Sequence, residues 1–265
     1  MGEDILTRIV NRKKEELLSA QKARPEKEVK REALAVQGHR PFLENLKRYS
    51  GPSTVNIIAE IKRASPSKGD IGMGLDAGLI AHEYEAGGAQ ALSVLTDTDF
   101  FKGSFDDFRL ARKNTTLPML RKDFLVSEYQ IYESRVLGAD AVLLIARILG
   151  KEELKAYLEM ALGLSMDALV EIHSEEDLEK TLYAGATLIG INNRNLSSFD
   201  TNLETAIRFK AMLTPDQVAV AASGISGRDD ILRNQKAGIF NFLIGESVVR
   251  AKDRAGFLKT LRGEA

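Results

Sequence analysis

From about residue 55 onward the chain alternates two hydrophobic textures. Short runs of apolar and β-branched residues fall near 56–61, 91–95, 117–121, 141–145, 168–172, 187–191, 218–222 and 241–244. Strands buried on both faces carry such near-continuous runs. Between them, apolar residues recur at helical spacing over 79–86, 105–113, 128–137, 152–162, 175–183, 203–213, 229–237 and 257–261. Ala86-Gly87-Gly88-Ala89, Leu137-Gly138-Ala139-Asp140, Ala184-Gly185-Ala186 and Lys236-Ala237-Gly238 each put a residue suited to a left-handed helix cap just before the next strand. Eight strand–helix units in series predict an α/β fold, a (β/α)8 or TIM barrel. A doubly wound sheet has similar punctuation, but usually with five or six strands.

The residues before about 50 read differently. Ile5, Leu6, Ile9, Val10, Leu17 and Leu18 predict an amphipathic helix with Asp4 as its N-cap and a Lys/Glu-rich outer face. Pro25 restarts the chain ahead of a second charged helix running to about Leu34, and Phe42, Leu43 and Leu46 form a third short apolar stripe. These apolar residues are too few for a core of their own. The expectation is an N-terminal helical extension over 1–50, packed on a barrel over 51–265 within a single domain.

Composition narrows the function classes. The 44% of apolar residues suffices for a large core, and 37 basic against 38 acidic residues leave a net charge of −1. That balance recruits no nucleic acid, anionic membrane or polyacid, so an anion must be bound locally. With no cysteine there are no disulfides, thiolate metal sites or thiol nucleophiles, which fits a reducing compartment. No apolar run of about 18 residues and no signal-like start is present, and the expectation is a soluble cytoplasmic protein without membrane contact. His39 falls in the extension, His82 in the first barrel helix and His173 at the start of the helix after strand five; none shares ligand spacing with another, and no metal is expected. Arg112-Lys113 and Arg121-Lys122 are too short for nucleic-acid patches. No apolar stripe stands out as a partner surface, so a monomer is expected.

Candidate chemistry begins at VNIIAEIKRASPSKGD, residues 55–70. In a strand, Ile58, Glu60 and Lys62 share one face, and Ile57, Ala59 and Ile61 the other. At a solvent-facing edge Glu60 and Lys62 would be an ordinary surface pair. The apolar residues around them point instead to a doubly buried strand, where charge is costly unless used. Ser65-Pro66-Ser67-Lys68-Gly69 follows as a polar loop on a rigid strand. Barrels carry their chemistry at the carboxyl ends of the strands. There this chain has Lys122 and Phe124 after strand three, Glu171 ending strand five, Asn192 and Arg194 after strand six, Ser223-Gly224 after strand seven and Gly245-Glu246-Ser247 after strand eight. Positions matched in this way favour a site over a chance surface cluster. The last two loops suit a phosphate held by backbone amides, although a helix-capping serine explains either one taken singly.

Several long stretches, in order, resemble the indole-3-glycerol phosphate synthase family: 58–67 (IAEIKRASPS), Ser93-Val94-Leu95-Thr96, Arg121-Lys122-Asp123-Phe124, 190–196 (GINNRNL) and Ser223-Gly224-Ile225. The resemblance runs essentially end to end, extension included. It implies ring closure of 1-(2-carboxyphenylamino)-1-deoxyribulose 5-phosphate to indole-3-glycerol phosphate, carbon dioxide and water, with no cofactor. It assigns Lys122 to protonating the carbonyl, and Lys62 either to holding the departing carboxylate or to protonating the leaving hydroxyl. Glu60 and Glu171 become the carboxylates of dehydration, in an order the sequence does not set, and Asn192 orients the substrate hydroxyl or a lysine. Ser65, Arg194 and Ser223 bind substrate, and the amides of Gly224, Gly245 and Glu246 take the phosphate. Phe101, Phe124, Leu143 and Leu196 form an apolar wall for the aromatic ring, with Leu143 equally readable as barrel core. The extension either merely covers the barrel or lines the substrate mouth, and contact with substrate is the preferred reading. The family usually has glutamate where this chain has Ala222, which removes a carboxylate from the mouth. Two other readings compete. Phosphoribosylanthranilate isomerases share the phosphate end but depend on a cysteine this chain lacks, and a phosphate-binding barrel without turnover has Ala222 as its support.

Overall fold

In a computed structural model describing residues 4–47, 54–195 and 200–264, the chain enters through α1 (Ile5–Ala23), α2 (Glu26–Ala35) and α3 (Phe42–Lys47). Eight strands follow: β1 (Asn56–Ile61), β2 (Ala91–Leu95), β3 (Met119–Lys122), β4 (Ala141–Ile145), β5 (Asp167–Ile172), β6 (Leu188–Asn192), β7 (Val218–Ala222) and β8 (Asn241–Ile244). Each pairs in parallel with its successor, and β8 returns to β1 with Asn56 opposite Asn241 and Ala59 opposite Ile244, closing the barrel. The connecting helices are α4 (Ala77–Ala86), α5 (Phe105–Lys113), α6 (Glu128–Leu137), α7 (Lys151–Gly163), α8 (Glu175–Ala184), α9 (Glu204–Lys210) and α10 (Arg228–Lys236). The five-residue α11 (Glu246–Arg250) and then α12 (Arg254–Arg262) follow β8. A two-stranded antiparallel ribbon, Ala64–Ser65 with Gly69–Asp70, stands on the loop after β1.

Period-two alternation sorts the strand residues into two cores. Ile57, Ala59, Ile61, Leu92, Val94 and Val170 face outward against the helices, whereas Ile58, Leu120, Leu143, Leu169, Val220 and Leu243 fill the barrel. Ser104, Ser127 and Ser174 cap α5, α6 and α8, and Gly138 and Gly185 stop α6 and α8 with φ of 90° and 78°. The two ends of the barrel differ. At the amino end α3 inserts Phe42 and Leu46 among the interior residues. There the Asn56 side-chain amide donates to Leu46 O and Asn241 Oδ1, both at 2.9 Å, so the buried amide is satisfied.

Boundaries shift where backbone chemistry outweighs hydrophobic pattern. β3 begins at Met119 rather than 117, because Pro118 has no N–H to donate to a ladder. α9 stops at Lys210 and not 213, ahead of Thr214-Pro215, where the proline disfavours helical backbone before it. His173 precedes α8 instead of opening it, since Ser174 is the N-cap. Asp4 occupies the N-cap of α1 without a side-chain hydrogen bond, and Leu18 faces solvent at 61% exposure.

Candidate active site

Interior positions along β1 climb from Ile58 to Glu60, and Lys62 lies just past the strand end. Glu60 is 4% exposed, and Lys62 Nζ stands 2.9 Å from its Oε1. Across the mouth, Lys122 Nζ lies 3.7 Å from Glu171 Oε2, and Asn192 Nδ2 donates to Glu171 Oε1 at 3.3 Å. Each buried carboxylate thus has its own ammonium. Burial by itself would raise the Glu60 carboxyl, but the positive charges of Lys62 and Lys122 outweigh it and hold the group below its ordinary value. Such pairs are costly to desolvate and more costly to break, because removing one partner leaves a buried charge uncompensated.

The walls come from loops tied to one another. The rings of Phe101 and Phe124 stand side by side, centroids 5.9 Å apart and planes tilted by 37°. Arg194 donates to Ser67 Oγ at 3.4 Å, which in turn lies 3.5 Å from Ser65 Oγ, and the Arg194 amide donates to Asn192 Oδ1 at 3.0 Å. After β7, Ser223 and Gly224 take φ of 67° and 81°, and the Asn193 side chain donates to Ser223 O at 3.0 Å. Ser247 Oγ donates to Ile225 O at 2.9 Å, joining the loops after β7 and β8. Gly245 has a steric reason to be glycine: a Cβ there would sit 2.5 Å from Glu60 Oε1 and 3.2 Å from Lys62 Nζ. Gly245→Ala is expected to displace this pair and lower kcat by about 10²-fold, the order associated with an ångström-scale misplacement, with little change in melting temperature. Wild-type kcat in a folded Gly245→Ala protein would show that the pair tolerates displacement.

Together these groups surround a cavity of about 630 Å³ at the carboxyl ends of the strands. Of the residues singled out in the sequence, Glu60, Lys62, Ser65, Phe101, Lys122, Phe124, Glu171, Asn192, Arg194, Ser223, Gly224, Gly245 and Glu246 all line it. Leu143 does not. It is 1% exposed within the barrel core, and Ile145, the next interior position along β4, forms the wall instead. Leu196 lies outside the described residues. Ala222 lines the cavity between Asn192 and Leu243, its register partners on β6 and β8. Among the described residues, no helix is long and apolar enough to cross a membrane.

The extension takes one of its two expected places, and one further residue beside the site was not drawn from the sequence. Ile5, Leu6 and Ile9 of α1 form part of the cavity wall, so the extension lines the mouth as well as covering it. The side chain of His173 is buried with Nε2 3.4 Å from Glu171 Oε1, and burial outweighs Glu171 and Asp177 to hold the imidazole below its ordinary pKa. The signal for His173 was its place two residues beyond Glu171 on the same strand line.

The family described as indole-3-glycerol phosphate synthase matches residues 6–261. A Desulfosudis oleivorans protein of that name is 54% identical over 258 residues, covering 97% of this chain and 98% of the relative. One from Syntrophobacter fumaroxidans is 46% identical over 260 residues, covering 98% of each. Among solved structures, KGPDC from Streptococcus mutans superposes with a TM-score of 0.60 at 14% identity, over 79% of this chain and 97% of that one. Thiamine phosphate pyrophosphorylase from Pyrococcus furiosus gives 0.58 at 16%, over 80% and 95%. These two likenesses show the barrel fold alone.

Proposed function

Because the chain belongs to the indole-3-glycerol phosphate synthase family, we propose that it closes the indole ring of 1-(2-carboxyphenylamino)-1-deoxyribulose 5-phosphate, releasing carbon dioxide and water. The observation that carries this reading is the pair of lysine–carboxylate couples, Lys62 with Glu60 and Lys122 with Glu171, over one cavity that also holds an aromatic wall.

Ring closure joins the carboxylate-bearing aromatic carbon to the ketone carbon, and the ketone oxygen must gain a proton as that bond forms. Lys122 supplies it, held toward the cavity by Glu171, which Asn192 steadies from the other side. Loss of carbon dioxide then returns the bonding electrons to the ring. Dehydration removes the new hydroxyl together with a proton from Lys62, while a carboxylate takes a proton from the forming five-membered ring. Glu60 suits that acceptor role, since its two neighbouring lysines keep it ionised. Phe101 and Phe124 flank the aromatic ring, Ser65 and Arg194 contact the ribulose portion, and Ser223 with the amides of Gly224, Gly245 and Glu246 takes the phosphate.

A fluorescence time course of indole-3-glycerol phosphate formation tests the reading with low background, since the chain has no tryptophan. No product from a chain that binds substrate by calorimetry would favour the second reading, a phosphate-binding barrel without turnover, for which Ala222 is the specific support. We also read Ala222 as lowering the rate, because a carboxylate there would stand beside Asn192 at the mouth. Ala222→Glu is expected to raise kcat by about tenfold, one pKa unit's worth of interaction energy. An unchanged or lower rate would deny that position any role in this chain.

A further inference from the structure

On α1, Ile5, Ile9, Lys13 and Leu17 recur every four residues and share one face, so a lysine interrupts the stripe that packs on the barrel. Lys13 is only 4% exposed. Its Nζ lies 2.9 Å from Asp97 Oδ2, 3.2 Å from Asp123 Oδ1 and 2.8 Å from Glu16 on its own helix. Asp97 and Asp123 come from the loops after β2 and β3 and are 0% and 3% exposed. The same two carboxylates anchor the aromatic wall. Asp97 Oδ1 accepts the amides of Phe100 and Phe101 at 2.7 and 2.9 Å, and Asp123 Oδ1 accepts the amide of Phe124 at 2.8 Å. Asp123 also has Arg121 and the Thr96 hydroxyl, but among the described residues Lys13 is the one cation paired with Asp97.

We propose that Lys13 is a positioning residue: one ammonium ties the helix that lays Ile5, Leu6 and Ile9 over the cavity to both loops that present Phe101 and Phe124. Lys13 itself does not line the cavity. An apolar side chain would fill the same space without the cost of desolvating a charge, and exchanging buried ions for apolar residues is often neutral to stability. Only a cation can hold two buried carboxylates from separate loops together. Without it Asp97 is a buried anion lacking a cation, and its loop must move to hydrate it, carrying the Phe101 amide along. The result is a looser grip on the aromatic ring at an unchanged phosphate end.

The inference rests on the ring-closing reading, and its test separates the two. Calorimetry on the full-length chain compares indole-3-glycerol phosphate, which has the ring, with glycerol 3-phosphate, which lacks it. Lys13→Met is expected to raise Kd for the first about tenfold and leave the second within about twofold, as lost uniform binding of the ring requires, with KM rising more than kcat falls. Should Lys13→Met fail to fold, Asp97→Asn keeps an acceptor for the Phe100 and Phe101 amides but turns an NH2 donor toward Lys13 where a carboxylate oxygen stood, so the tie to α1 is broken and affinity is expected to shift in the same selective way. Equal weakening of both ligands, or unchanged affinity for the ring-bearing one, overturns the proposal. A wild-type chain that neither forms nor binds indole-3-glycerol phosphate defeats the ring-closing reading instead.

Discussion

Lys122→Met is expected to lower kcat by about 10²–10⁴-fold, the usual contribution of a positioned proton donor, with a smaller change in KM. Methionine keeps the unbranched length of the side chain and loses the proton. Glu171 retains the Asn192 amide at 3.3 Å, so its geometry survives, but the ammonium 3.7 Å away is gone. The loss also reaches β1, because Lys122 is one of the two cations that hold the Glu60 carboxyl below its ordinary value. The acid limb of the residual pH–rate profile should therefore move to higher pH. A fluorescence progress curve gives the rate. Wild-type turnover would remove Lys122 from the chemistry, and a lost rate with an unmoved acid limb would uncouple it from Glu60.

Glu60→Gln is expected to cost about 10²–10³-fold in kcat, since the amide preserves shape but accepts no proton at neutral pH. It also carries a stability signature. A carboxyl depressed in the folded chain binds its proton less readily than in the unfolded chain, whose value is near 4.5. Its stabilising contribution is complete above that value and is lost as pH falls through the lower folded one. Wild-type stability should thus decline from about pH 4.5 downward, and Glu60→Gln should flatten the share of that decline due to this group. At neutral pH the variant should melt lower, because Lys62 then lacks its nearest anion. Parallel acid-melting curves for the two proteins would show that Glu60 is not held ionised by its neighbours.

The barrel was readable in sequence because parallel strands buried on both faces leave a near-continuous apolar signature, unbroken in AVLLI of β4 and interrupted in NIIAEI of β1. Glu60 and Lys62 stood out as charges in such a run. Which side of a strand a residue faces follows from alternation, but depth along the barrel axis does not. Leu143 and Ile145 share the interior face of β4, and only the closed barrel shows which one reaches the cavity. Lys13 is hidden for a related reason. Helical periodicity marks the buried stripe through its apolar members, and a lysine within it reads as outer face until the two aspartates from distant loops are seen around it. The cover that α1 makes over the mouth depends on where a helix docks, which no local pattern records.

Among the described residues, Phe42 and Leu46 plug the amino end of the barrel, beneath the reaction chamber. Substrate enters, and carbon dioxide, water and the indole product leave, through the opening that α1 partly roofs with Ile5, Leu6 and Ile9. Traffic in both directions then shares a mouth that those three side chains border. A helix that grips the aromatic ring more firmly therefore also delays the departure of its product, and the tightness of that roof sets a compromise between capture and release.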